Sequence, residues 1–159
     1  MGKRTICTRW LMTLPQSILR YRAAMQDMIV EAAPTLFITL AFNRKTSVAV
    51  AAKFLKDFDA RMASATLGKF WVKRVSERPK YIAVIENAKK NLHLHLAVTC
   101  TPQQSAIIAA ITEPAWVKLV PSGTVDVQAV YDEGGLGSYM SKQYSADHQD
   151  HLLLSRSST

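Results

Sequence analysis

Between residues 16 and 33, Ile18, Leu19, Tyr21, Met25, Met28, Ile29 and Ala32 recur at three- to four-residue intervals, and Pro34 follows. That spacing predicts an amphipathic helix stopped by a residue that cannot continue it. The period then changes. Residues 36–42 (LFITLAF) form a short β-rich run closed by the polar stretch from Asn43 to Thr46, which predicts a central strand and a turn. Helical spacing returns over 47–67 through Val48, Ala51, Leu55, Phe58 and Met62, with Gly68 as the stop. Two more strands are predicted at 81–86 (YIAVIE) and 92–98 (LHLHLAV), joined as a hairpin across Asn87-Ala88-Lys89-Lys90-Asn91. A helix starts at Thr101 or Pro102, runs through Ile111 and ends at Pro114, and an alternating strand follows at 125–131 (VDVQAVY). A glycine-rich turn, Gly134-Gly135-Leu136-Gly137, then leads into a last helix at 138–144. The order helix, β, α, β, β, α, β, α predicts an α+β fold. Its central sheet is mostly antiparallel, with helices packed on one face and the other face open to a ligand.

The chain has 159 residues, 48% of them hydrophobic, which suits one globular domain. The expected division is a helical N-terminal extension over 1–35, a main domain over 36–145 and a loose polar tail over 146–159. Two cysteines, Cys7 and Cys100, are too few for a disulfide scaffold or a cysteine-based zinc module and fit a reducing cytoplasm. The longest apolar run, at 36–42, falls far short of the ~20 residues that span a bilayer, so no membrane segment is expected. The first residues carry Lys3, Arg4 and Arg9, but their apolar run is too short and interrupted for a signal peptide. The net charge of +8 is unevenly spread, with +3 over 1–43, +8 over 44–90 and −3 over 91–159. A central segment holding the whole excess points to one basic face and a polyanionic partner; the solvated surfaces of amphipathic helices are the competing explanation.

Candidate chemistry gathers on the hairpin. Strand alternation puts His93 and His95 on one face while Leu92, Leu94, Leu96 and Val98 enter the core. If Glu86 pairs opposite His93, its carboxylate joins both imidazoles, a donor set able to hold a divalent ion and polarise a phosphate oxygen. Tyr139 and Lys142, three apart, share a face of the last helix. A phenol with an ordinary pKa of about 10 needs a polarised electrophile and a nearby cation to act as a nucleophile, and Lys142 could supply the cation. Taken alone, each of these pairs is also an ordinary surface feature.

Together, FITLAF (37–42), HLHLAV (93–98) and YMSKQ (139–143) resemble the three ordered motifs of the HUH endonucleases, most of all the single-tyrosine rolling-circle replication initiators. The resemblance covers residues 36 to about 144, roughly two thirds of the chain. It implies that His93 and His95, completed by Glu86, bind Mg²⁺ or Mn²⁺, and that Tyr139 is the nucleophile with Lys142 beside it. Tyr139 would then cut single-stranded DNA at a replication origin through a 5′-phosphotyrosine, leaving a 3′-hydroxyl for a host polymerase. Tyr144 does not have the spacing of a two-tyrosine initiator and is structural or a fallback nucleophile. Arg44, Lys45, Lys69, Lys73, Arg74, Lys89 and Lys90 are candidates for contacts to the DNA backbone. Leu67-Gly68-Lys69-Phe70 lacks the earlier glycine and the hydroxyl residue of a phosphate loop, so unwinding falls to a host helicase. A relaxase or single-tyrosine transposase would use the same chemistry. A metal-dependent hydrolase using water, or a non-enzymatic single-strand-binding domain, would not need Tyr139.

Overall fold

In a computed structural model, residues 15–142 and 151–155 are described. Helix α1 (Gln16–Ala32) leads into strand β1 (Leu36–Ala41) and helix α2 (Val48–Leu67). Two short 3-10 segments (Gly68–Lys73 and Val75–Glu77) come before the hairpin of β2 (Lys80–Glu86) and β3 (His93–Thr99). Helix α3 (Pro102–Leu119), strand β4 (Thr124–Ala129), helix α4 (Glu133–Ser141) and strand β5 (Leu152–Leu154) complete the order. The five strands form an open sheet in the order β4-β1-β3-β2-β5, with every neighbouring pair antiparallel. This is the expected α+β class of helices packed on an antiparallel sheet. Among the described residues no helix is long and apolar enough to cross a membrane.

Capping explains where the helices begin. The Ser47 hydroxyl accepts from the Val50 N–H, and Thr101 and Gln104 form a reciprocal capping box at the start of α3. Pro114 was expected to end α3, but the helix runs on to Leu119. A proline costs one backbone bond inside a helix. Here Trp116, fully buried one half-turn later, ties the last turns to the sheet by donating its indole N–H to the Ala41 carbonyl at 3.0 Å. Gly123 makes that approach possible, because a Cβ there would lie 2.9 Å from the same carbonyl oxygen.

The start of α4 is also displaced from expectation. Gly134, Gly135 and Gly137 lie inside the helix rather than in a turn before it, because the Asp132 carboxylate caps the helix by accepting from the Gly135 N–H at 2.9 Å. Strand β4 stops before Tyr131, which is 92% exposed. Most of the expected tail lies outside the described residues, yet three leucines of it pair with β2 as β5. Leu152 packs on one face of the sheet and Leu153 on the other, so the run has apolar surface to bury on both sides.

The larger core lies between the sheet and α2 and α3. Leu36, Ile38 and Leu40 of β1, Ala83 and Ile85 of β2, and Leu94, Leu96 and Val98 of β3 meet Leu55, Phe58 and Met62 of α2 and Ile108 and Trp116 of α3. The opposite face was expected to be open, and here the structure adds cover. Met25 and Ile29 of α1 and Met140 of α4 pack on Ile82, Val84 and Ala97. The residues over 1–35 had been set apart as an extension, yet α1 is packed into this second apolar cluster.

Candidate active site

The site is built on the second face of the sheet. The hairpin register pairs Glu86 with His93 and Val84 with His95, and β1 places Thr39 beside His95 and Ala41 beside His93. Because side chains alternate, Phe37, Thr39, Glu86, His93 and His95 share this face while the intervening residues enter the larger core. His95 is 6% exposed. Its Nε2 is hydrogen-bonded to Glu86 Oε2, and its Nδ1 lies 3.1 Å from Thr39 Oγ1. If Nε2–H donates to the carboxylate, Nδ1 of the neutral ring is left to accept from the Thr39 hydroxyl. The three side chains then form one chain of hydrogen bonds across three strands.

Aromatic packing surrounds this chain. The His95 ring is nearly parallel to Phe37, with centroids 5.5 Å apart, and to His93 at 6.2 Å. Tyr139 stands edge-on to both Phe37 and His95, with centroids at 5.8 and 5.6 Å. The last predicted helix therefore brings its tyrosine to the hairpin histidines, some forty-four residues away in sequence. Two features hold it there. Gly137 lets α4 approach α1 so closely that a Cβ would sit 3.2 Å from Gln26 Cα, and the Gln26 side-chain amide donates to the Ser141 hydroxyl at 3.0 Å.

Burial pushes the His95 imidazole below its ordinary pKa, outweighing the Glu86 carboxylate, which raises it; His93 adds to the lowering. The Tyr139 phenol is raised, first by burial and then by the Glu86 charge. Even so, Tyr139 is 51% exposed. Lys142 caps the C-terminus of α4 and is exposed, its backbone N–H donating to the Tyr139 carbonyl at 3.2 Å. Burial and the Glu86 charge both act on the phenol in the same direction. Tyr144 lies outside the described residues.

Among the described residues no group of three or more His, Cys, Asp and Glu side chains is arranged to hold a metal ion. Glu86 and His95 are bonded to each other, and His93 lies alongside. The donor types themselves, two imidazoles and a carboxylate, suit a divalent ion.

The seven basic candidates separate into two groups. Arg44, Lys45 and Lys90 line one cleft of about 320 Å³ with Asn43 and Asn91, at the end of the sheet where β3 begins. Lys89 and Lys90 line an adjoining cavity of about 260 Å³ whose wall includes Glu86 and His151. Lys69, Lys73 and Arg74 follow α2 instead. Arg74 is bonded to Glu77 and lines a cavity with Lys80 and Thr99, at the far end of the hairpin and about 20 Å from Glu86 along the strand.

Two residues of this region were not singled out from the sequence. Thr39 had a signal, as the one hydroxyl among the apolar residues of LFITLAF, and strand alternation puts it on the histidine face. His151 had none, because its position depends on β5 returning to the edge of β2. Comparison with family models, with curated proteins and with solved structures finds no match.

Proposed function

We propose that the chain nicks and rejoins single-stranded DNA through a tyrosine nucleophile in the manner of the HUH endonucleases, and so initiates rolling-circle replication in the cytoplasm. The observation that carries this reading is the meeting of Tyr139 with His95 and Glu86 on one sheet face, from segments far apart in the chain. The face is bordered by cations and has a half-exposed phenol at its surface, which suits a strand laid across it better than a small molecule enclosed in a pocket.

In this reading the Tyr139 oxygen attacks the scissile phosphorus as the bond to the 3′ oxygen breaks. The 5′ phosphate is retained on the protein and a 3′-hydroxyl is released for a host polymerase. Glu86, His93 and His95 would hold Mg²⁺ or Mn²⁺, which supplies positive charge to the non-bridging phosphate oxygens. For His95 to ligate through Nε2, its bond to Glu86 would have to open and its proton move to Nδ1, which would then donate to the Thr39 hydroxyl and orient the ring as an outer partner does for a ligating imidazole. Lys142, one turn from Tyr139, approaches the charge of the bound strand. The upward push on the phenol means that attack at neutral pH needs added positive charge at the site. A relaxase or single-tyrosine transposase would make the same use of these residues.

The ends of the cut DNA test the reading. Labelled single strands spanning candidate origins, incubated with Mn²⁺, are expected to give a 3′ end that a polymerase extends and a 5′ end that resists phosphatase and kinase and still carries a tyrosyl peptide after the protein is digested. EDTA should abolish the cut. A 5′ end bearing a plain phosphate, removed by phosphatase and restored by kinase, would mean that water is the nucleophile and would replace this proposal with a metal-dependent hydrolase.

A further inference from the structure

The cleft at the start of β3 is held in shape by residues other than the cations that line it. The Asn43 N–H donates to the Asn91 side-chain carbonyl at 3.0 Å, and the Asn91 amide returns a bond to the Asn43 side-chain oxygen at 3.0 Å. The Asn43 amide also donates to the Ser122 carbonyl at 3.1 Å and the Thr124 hydroxyl at 3.0 Å. One asparagine thus joins the loops after β1, between β2 and β3, and after α3. Asn43 adopts a left-handed φ of 51°, which asparagine tolerates better than most residues. The Arg44 guanidinium rests 5.6 Å from the Phe54 ring centroid, so its side chain is braced as well. None of the five residues lining the cleft is acidic. Lys90 also lines the cavity that Glu86 borders, so the basic surface is continuous with the site. Asn91 precedes His93 by two residues, at most about 7 Å along the chain.

We propose that Arg44, Lys45 and Lys90, set in place by the Asn43 and Asn91 clasp, grip a backbone phosphate of the DNA strand next to the one that Tyr139 attacks, and so fix the register of cutting. The proposal rests on the nicking reading for its geometry, but its binding chemistry can be tested separately. Three cations around one cleft, with Arg44 braced on the Phe54 ring, hold a phosphate near His93. The distant group around Arg74, which is paired with Glu77, adds only to the general field.

The test compares the wild-type chain with Arg44→Gln/Lys45→Gln/Lys90→Gln and with Lys69→Gln/Lys73→Gln. Binding of a fluorescent single-stranded oligonucleotide is followed by anisotropy across a salt series, and covalent adduct formation is measured on the same samples. At about 0.7 in the logarithmic salt slope per neutralised phosphate of a single strand, the triple variant, which gives up one, is expected to lose about 0.7 from the slope and to bind about fivefold more weakly near 0.1 M salt. The control pair should keep most of both. Replacing single phosphates with neutral methylphosphonates should reveal one position beside the nick that weakens wild-type binding and leaves the triple variant indifferent. Equal losses in the two variants, or no sensitive phosphate, would overturn the grip. Wild type that forms no adduct while only the triple variant loses its salt slope would overturn the nicking reading and leave the grip standing. Absence of binding by wild type would overturn both.

Discussion

His95 concentrates the physics of the site in one side chain: it is buried, bonded at both ring nitrogens and faced by two aromatic rings. Its folded pKa lies below the ordinary value of about 6.5, chiefly through burial, so as the pH falls the unfolded chain takes up that proton first. Stability from this residue is therefore full above about pH 6.5 and is lost as the pH falls toward the folded value. In EDTA, the melting temperature of wild type is expected to decline more steeply below that pH than that of His95→Gln. Parallel declines would place the proton uptake elsewhere. At this scale the sequence was informative where a period could be read. The alternation in LHLHLAV and the short hairpin turn were enough to put Glu86, His93 and His95 on one face. Thr39 escaped notice because a threonine is as common in a strand for its β-branch as for its hydroxyl.

At the scale of elements, α4 decides whether Tyr139 reaches the histidines, and its glycines have separate roles. A Cβ at Gly137 would press on the backbone of Gln26, which cannot step aside, whereas a Cβ at Gly134 would have nothing nearer than an Asp132 oxygen at 3.5 Å. Gly137→Leu is expected to cost about 1–3 kcal/mol through overpacking and to depress adduct formation further by moving Tyr139 off the site. Gly134→Ala should be neutral, or stabilising by up to about 1 kcal/mol from helix propensity. Thermal melting of the two variants checks both signs, and equal behaviour would contradict the docking of α4 on α1. The glycines read as a turn because local propensity argues against them in a helix; close helix packing outweighs that propensity and becomes visible only once α1 is in place. Pro114 misled for the same reason. The burial of Trp116 compensates for a lost backbone bond, and no local pattern records that.

For the whole molecule, the unexpected feature is that both faces of the sheet are covered. Ile29 is fully buried between α1 and the second face, so Ile29→Ala is expected to cost about 2–5 kcal/mol in chemical denaturation, the range of a large core truncation. A loss below about 1 kcal/mol would mean that α1 is an appendage. Antiparallel strands and their order along the chain followed from hydrophobic spacing, but the destination of α1 and the return of Leu152–Leu154 to the sheet edge depend on long-range packing that spacing does not encode. With the second face covered, Tyr139 still stands edge-on to His95 and half exposed, and its phenol is the proposed nucleophile. The most direct measurement is mass spectrometry of a denaturation-resistant protein–DNA adduct formed with Mn²⁺, in wild type and in Tyr139→Phe, where the ring packing is kept and only the hydroxyl is lost. The expected result is a phosphotyrosine mapped to Tyr139, absent from the variant and from EDTA-treated samples. An adduct that persists in Tyr139→Phe, or cleavage with no adduct in wild type, would contradict the account.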